Sequence, residues 1–172
     1  MSASAPDFDA TYFRTALGRF ATGVTVVTAN GPDGTPLGLT VSSFNSVSLD
    51  PPLVLWSLSA SSRSREAFTR CERYVINVLG ADQLHLAQRF ARGSVLERYA
   101  GIPDAYAPGG TRMLGAHCAA WFECYNRSRY EEGDHIIMVG QVEHCGHSGA
   151  LPLVYHAGGF DLTPDPAAAE RG

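Results

Sequence analysis

Gly38-Leu39-Thr40-Val41-Ser42-Ser43-Phe44-Asn45-Ser46-Val47-Ser48 is the stretch on which the reading of this chain turns. Hydroxyl and amide side chains at Thr40, Ser42, Ser43, Asn45, Ser46 and Ser48 are threaded with Leu39, Val41, Phe44 and Val47. A solvated loop has no need of the apolar four. A core strand would not carry so many hydroxyls, because each buried one needs a hydrogen-bond partner. The composition predicts a strand-and-bend edge that offers short donors and backbone N–H groups to a flat polar heterocycle. A β-bulge whose Ser and Thr satisfy the backbone locally has the same composition, so the residues alone leave both readings open.

Outward from that stretch, residues 24–29, 37–42, 46–49 and 53–58 are short β-branched or apolar runs. Turn chemistry separates them, first Asn30-Gly31-Pro32-Asp33-Gly34 and then Asp50-Pro51-Pro52. Before them, Asp7 is placed to cap a helix over 8–17. Its stripe is Phe8, Tyr12, Ala16 and Phe20, with Phe13 and Leu17 alongside. After them, a second helix follows Ser62 with Ala67 and Phe68 facing inward, then a strand over 74–79. A third helix runs from Asp82 as cap through Leu84, Ala87 and Ala91, with Leu86 and Phe90 beside them. Residues 101–111 read as a surface loop, 119–126 and 135–143 as longer strands, and 153–155 as a short apolar segment. Strands outnumber helices and hairpin spacing dominates. The pattern favours an antiparallel barrel with a few packed helices over a doubly wound parallel sheet.

A length of 172 residues with 45% hydrophobic and 17% charged positions suits one domain over 1–172, loose only at about 1–6 and 164–172. A formal net charge of -4 argues against a nucleic-acid partner, which needs clustered cations. All 13 basic residues are Arg. No apolar run approaches the roughly 18 residues that span a bilayer, and MSASAPDFDA has no signal-peptide character, so no membrane is expected. Cys71, Cys118, Cys124 and Cys145 are too sparse for a disulfide scaffold, and Cys118 and Cys124 read as members of one strand. A reduced, cytoplasmic setting is the expectation.

Three further segments carry candidate chemistry. In Ser57-Leu58-Ser59-Ala60-Ser61-Ser62-Arg63-Ser64-Arg65, a strand ends, a Ser-rich turn follows and a helix opens with two Arg in its first turn. Cations there oppose the helix dipole, an arrangement that makes sense if a phosphate sits at the helix start. A capped surface helix with two solvated Arg is the alternative. Glu131-Glu132-Gly133-Asp134-His135 delivers a His onto an apolar strand. In Pro152-Leu153-Val154-Tyr155-His156-Ala157-Gly158-Gly159-Phe160 the paired glycines allow another molecule to approach the backbone. No C-x-x-C pair joins Cys118, Cys124, His144, Cys145 and His147 into a zinc pattern, so no metal is expected. G-x-S-x-G and G-x-G-x-x-G are also absent.

In order and spacing, these segments resemble the flavin reductase-like family, the reductase components of two-component flavin-dependent monooxygenases. The likeness runs from Phe13 to Phe160. It rests on Phe13-Arg14, on Gly18-Arg19-Phe20-Ala21-Thr22-Gly23-Val24-Thr25-Val26-Val27-Thr28, on 38–48 with Leu49-Asp50-Pro51-Pro52-Leu53-Val54, on Tyr74-Val75-Ile76-Asn77-Val78-Leu79, on Gly133-Asp134-His135 and on Pro152-Leu153-Val154-Tyr155-His156. The resemblance implies a mainly β fold with flanking helices: a split β-barrel of the FMN-binding type, antiparallel and Greek-key, and a homodimer. It implies FMN or FAD as flavin, NADH or NADPH as hydride donor, and a transient partner oxygenase that takes up reduced flavin.

Carried over by position, Thr40, Val41, Ser42, Ser43, Asn45 and Ser46 would contact the isoalloxazine and ribityl chain. Ser57, Ser59, Ser61, Ser62 and Arg63 would follow the ribityl-phosphate end, with Arg89 and Phe90 near the flavin. His135 would sit beside the nicotinamide as the catalytic or positioning group, and Tyr155, His156 and Gly158 would help hold the pyridine nucleotide. Many relatives carry Arg after the Tyr-His pair, where this chain has Ala157. Two other functions stay open: a flavin enzyme of the same fold acting on another substrate in a biosynthetic pathway, and a non-enzymatic flavin- or heme-binding module.

Overall fold

A computed structural model describes residues 4–115 and 117–162. The expected loose tail from 164 onward lies outside them, as do the first three residues. The chain opens with α1 (Ala10–Leu17) and β1 (Thr22–Gly23), then β2 (Thr25–Asn30), β3 (Pro36–Val41), β4 (Asn45–Leu49) and β5 (Pro52–Ser59). It continues through α2 (Arg65–Arg70), β6 (Arg73–Val78), a 3-10 turn at Ala81–Gln83, α3 (Leu84–Ala91) and α4 (Val95–Tyr99). Two short strands, β7 (Ala105–Tyr106) and β8 (Arg112–Met113), precede the long pair β9 (Ala120–Glu132) and β10 (His135–His147). β11 (Leu153–His156) and β12 (Gly159–Leu162) finish the described chain.

Seven strands form one antiparallel sheet in the order β3-β2-β6-β9-β10-β5-β4. Its two edges, β3 and β4, are consecutive in the chain, with only Ser42, Ser43 and Phe44 between them. Extended backbone covers about 3.3–3.6 Å per residue, so the edges are held within roughly 14 Å at that end. The sheet therefore has to curl into a barrel. Among the described residues no ladder joins β3 to β4, and the barrel stays split there. β1, β11 and β12 form a separate three-stranded sheet.

The curl explains why β2 reads as a β-branched run without polar alternation, buried from Thr25 through Ala29. Val27 and Ala29 point into the barrel with Trp56, Tyr74, Ile76 and Met138. Val24 and Val26 point the other way, into a second core with Leu79, Leu86, Ala87 and Phe90. Both faces are buried, so alternation disappears. On β3 the outer face meets α3 closely: a Cβ on Gly38 would lie 2.5 Å from Phe90 Cε1. Thr40 Oγ1 donates to Ala87 O at 2.7 Å and pins the same helix.

Several boundaries differ from the sequence reading. Asp9, not Asp7, caps the first helix, its Oδ1 accepting from Tyr12 N at 2.8 Å, and none of that helix is buried. Asp82 does not cap the third helix; Gln83 Oε1 instead accepts from Gly80 N at 2.9 Å. The expected 101–111 loop contains β7 and is preceded by α4, closed by a Ser94–Glu97 capping box. Cys118 precedes its strand rather than joining it. No helix among the described residues is long and apolar enough to cross a membrane.

All four cysteines are free. Burial pushes the Cys71 and Cys118 thiols up to about 11. Burial, and then the nearby Glu123 carboxylate, pushes Cys124 higher still. These thiols stay protonated at neutral pH, and only the thiolate is nucleophilic. Exposed Cys145 should therefore be the first labelled by a disulfide reagent at pH 8, with Cys118 and Cys124 reacting only on denaturation. Gly38→Ala should lower unfolding free energy by about 1–3 kcal/mol in a denaturant melt, because the added methyl collides with Phe90.

Candidate functional site

Three adjoining cavities follow the split. The middle one, about 210 Å³, is walled by Thr40, Val41, Ser42, Ala91, Tyr155 and Phe160. Ser42 and Tyr155 also line a cavity of about 650 Å³ that reaches Arg14 and Arg19 near α1 and the Ala157-Gly158 turn. Thr40 and Ala91 also line a cavity of about 630 Å³ that reaches Ser62, Arg63, Phe90 and Arg98. Shared walls make them one trough across the barrel mouth.

Why these side chains meet follows from the closure at residues 42–44. Ser43 Oγ accepts from Ser57 N at 2.9 Å, stitching the link onto β5, while Ser42 remains exposed at the rim. Asn45 and Ser46 are exposed at the start of β4, where Asn45 Oδ1 accepts from Ser46 N. Val41 is buried in the barrel core, so its side chain serves packing. Thr40 spends its hydroxyl proton on Ala87 while lining two of the cavities. In the Ser-rich turn, the Ser59 and Ser61 hydroxyls pair at 2.9 Å and Ser62 Oγ accepts from Ser64 N.

The two Arg that the sequence grouped together part company. Helix α2 begins at Arg65, whose Nη2 donates to Glu131 Oε1 at 2.7 Å on the distant β9. Arg63 lies in the turn before the helix, faces the trough and has no carboxylate partner among the described residues. A second cation joins it that the sequence reading did not single out. Arg98, half-buried on α4, donates from Nη1 to Gly38 O at 2.6 Å and from Nε to Arg92 O at 3.2 Å. Its signal was available: Ser94-Val95-Leu96-Glu97 has the S-x-x-E spacing of a capping box, and Arg98 follows it.

The far wall is built by β11 and the turn after it. Tyr155 packs on Phe160 with ring centroids 5.2 Å apart. Ala157 adopts φ 50 and Gly158 φ 82, and Ala157 N donates to Gly18 O at 2.9 Å, so the turn is latched to the end of α1. A left-handed backbone is costly for an alanine, and the latch holds it. Thr22 Oγ1, in the wall of the same cavity, is buried without a hydrogen-bond partner. Phe90 is fully buried, edge-on to Tyr99, and presents only part of its ring to the trough.

Some expected residues stand outside these cavities. His135 pairs across from Ser59, beside the Ser-rich turn, and is exposed. Its Nδ1 lies 2.7 Å from Asp134 Oδ1, which leaves Nε2 facing outward. That hydrogen bond holds the Asp134 carboxyl below its ordinary range. Arg89 Nη1 is committed to Ala100 O, and His156 is half-buried within β11. Ser57 and Ser59 lie behind the rim on β5.

Comparison with known proteins places this geometry. The flavin reductase like domain model matches residues 17–163. The chain belongs to the flavin reductase-like family. It is 42% identical over 161 residues to the stachydrine N-demethylase reductase subunit of Rhizobium meliloti (strain 1021), covering 94% of this chain and 69% of that one. It is 44% identical to an FMN reductase (NADH) of Agrobacterium fabrum, covering 86% and 83%. The solved structure of the NADH:FAD oxidoreductase of Streptomyces globisporus superposes with a TM-score of 0.85 at 30% identity, covering 96% of this chain and 99% of that one. Of some other curated relatives the chain spans about half the length. The split β-barrel architecture is thereby that of the flavin reductases.

Ser43 ties the link between the barrel edges onto β5, whereas Ser42 makes no side-chain hydrogen bond among the described residues. Ser43→Ala should cost about 1 kcal/mol of stability by orphaning Ser57 N–H, and Ser42→Ala should leave the denaturation midpoint unchanged. Equal midpoints for the two variants would show that the stitch contributes nothing.

Proposed function

We propose that this protein is a flavin reductase that uses NADH or NADPH to reduce FMN or FAD and passes the reduced flavin to a partner flavin-dependent oxygenase. One observation carries the reading. A trough with a narrow middle, walled by rings and hydroxyls, opens at one end onto two arginines without carboxylate partners among the described residues. Those are the surfaces that a flat aromatic ring and a phosphorylated tail require. The activities of the relatives, an FMN reductase (NADH) and an NADH:FAD oxidoreductase, support it, as does the reductase-subunit role of a third.

A bound flavin supplies the two-electron chemistry, so no protein nucleophile is needed. The chain's part is to bind, orient and exclude. Ser42, Ser43 and the free backbone edge beside them would hold the ring's polar rim, and Tyr155 with Phe160 would wall it. Ser61, Ser62 and Arg63 would hold the phosphate end. His135 would act on the nicotinamide side: Asp134 fixes Nδ1, so Nε2 is the atom that would orient the carboxamide or move a proton. Tyr155, His156 and Gly158 would seat the rest of the pyridine nucleotide, and the positive φ at 157–158 keeps side chains clear of it.

The working unit in this reading is a homodimer. Phe8, Tyr12, Phe13, Leu17 and Phe20 form an apolar face 46–77% exposed in the single chain, larger than isolated surface hydrophobics explain. A cytoplasmic setting suits four unpaired thiols.

Purified protein should oxidise NADH or NADPH only when FMN or FAD is added. His135→Ala should raise the nicotinamide KM several-fold and leave the flavin Kd within about twofold of wild type. A protein that binds flavin yet oxidises neither nicotinamide would overturn the reading. Equal kinetics for the variant would remove His135 from it. Sedimentation should give twice the chain mass of 18.4 kDa.

A further inference from the structure

The cavity at the Arg63 end is larger and more divided in character than a single phosphate requires. Its volume of about 630 Å³ lies beyond the middle cavity and by itself matches a drug-sized ligand, for which about 300–1,000 Å³ is usual. One side is apolar, with Leu37, Leu39, Phe90, Ala91 and Val95. The other carries serine hydroxyls and both guanidinium groups, with no carboxylate in the lining. Glu97, the neighbour of Arg98 in the chain, spends its carboxylate on Ser94 N and Oγ at 2.6 and 2.9 Å. Arg98 meets only main-chain carbonyls, which leaves Nη2 without a protein acceptor among the described residues. Burial, and then the charge of Arg63, draws the Arg98 guanidinium below its ordinary range. Two cations therefore share a partly desolvated cleft with nothing anionic between them, an arrangement that an anion with charge on two adjacent groups would relieve.

We propose that Arg63 and Arg98 clamp a diphosphate, and that the preferred flavin is FAD, whose adenosine lies on the apolar side of this cavity. The assignment rests on the trough being the flavin site and names which flavin it selects. Riboflavin reaches neither arginine, FMN offers them one phosphate, and FAD offers two phosphates and a ring for the Phe90–Val95 wall. Arg98 is then a specificity-determining residue, held in place by Gly38 O.

Flavin-fluorescence titration of the full chain with riboflavin, FMN and FAD tests this. Wild type should bind FAD roughly tenfold or more tightly than FMN, the gain expected of added charge-assisted hydrogen bonds. Arg98→Gln and, separately, Arg63→Gln should erase most of that preference and shift the riboflavin Kd by less than about twofold. Arg63 makes no side-chain hydrogen bond or ion pair among the described residues, so its variant reads the clamp even if the Arg98 change disturbs α4. ADP should displace FAD and leave riboflavin bound. Equal wild-type affinities for FMN and FAD, or an Arg63→Gln loss as large for riboflavin as for FAD, would overturn the clamp and leave the flavin site standing. Failure of all three flavins to bind would overturn the flavin site and the clamp with it.

Discussion

The barrel depends on a short tether. Ser42, Ser43 and Phe44 join strands that lie at opposite edges of a seven-stranded sheet, so the sheet can fold only by bringing those edges together. Closing the last ladder would satisfy their backbone groups and leave no slot. The gap stays open, and two β3 carbonyls, Leu37 O and Gly38 O, are taken by side chains of α4, Tyr99 and Arg98. Unpaired edges are ordinarily a liability that folds cover or charge. Here the gap is flanked by short hydroxyls, and Ser43 stitches the link to Ser57 on β5. An open polar seam with apolar walls accepts a flat ligand whose rim carries its own donors and acceptors.

How far the sequence disclosed this can be followed residue by residue. β3, β4 and β5 were legible because turn residues at 30–34 and 50–52 open β3 and separate β4 from β5. β2 was legible as a strand from its β-branched residues, but that both its faces are covered, the outer one at Val26 by Leu86, Ala87 and Phe90 of α3, was not. α1 started two residues late because two aspartates compete to cap it, and only Asp9 reaches the N–H of Tyr12. α4 has five residues, too few for a periodicity to register. β7 and β8 have two each, and the turn between them is held by buried Glu123, whose carboxylate accepts from Gly109 N and Thr111 N. A carboxylate from a distant strand is invisible to any local pattern.

The candidate site divides the same way. Composition marked both Ser-rich segments, yet it could not say which hydroxyls the fold consumes. Thr40 holds a helix, Ser43 holds a strand, Ser62 holds a turn, and Ser42 is left for the rim. The chemistry of the residue type was visible, and the allocation was not. The same holds for Arg63 and Arg65, two positions apart in the chain and indistinguishable by spacing. Glu131 takes one of them out of the site, a long-range ion pair with no local signature.

The two remaining cations bear on stability as well as binding. Arg98 is half-buried against carbonyl dipoles rather than a carboxylate, which compensates a desolvated charge only in part. Arg63 adds repulsion across the same cleft. Replacing either with a neutral side chain relaxes the empty site even as it weakens the filled one. A ligand anion, conversely, binds the folded form alone and stabilises it by mass action. The arginine arrangement is therefore locally unfavourable without an anion and favourable with one, a conflict that folds tolerate where binding resolves it. Charge placement, more than cavity shape, is what supports the anion site proposed for this end of the trough.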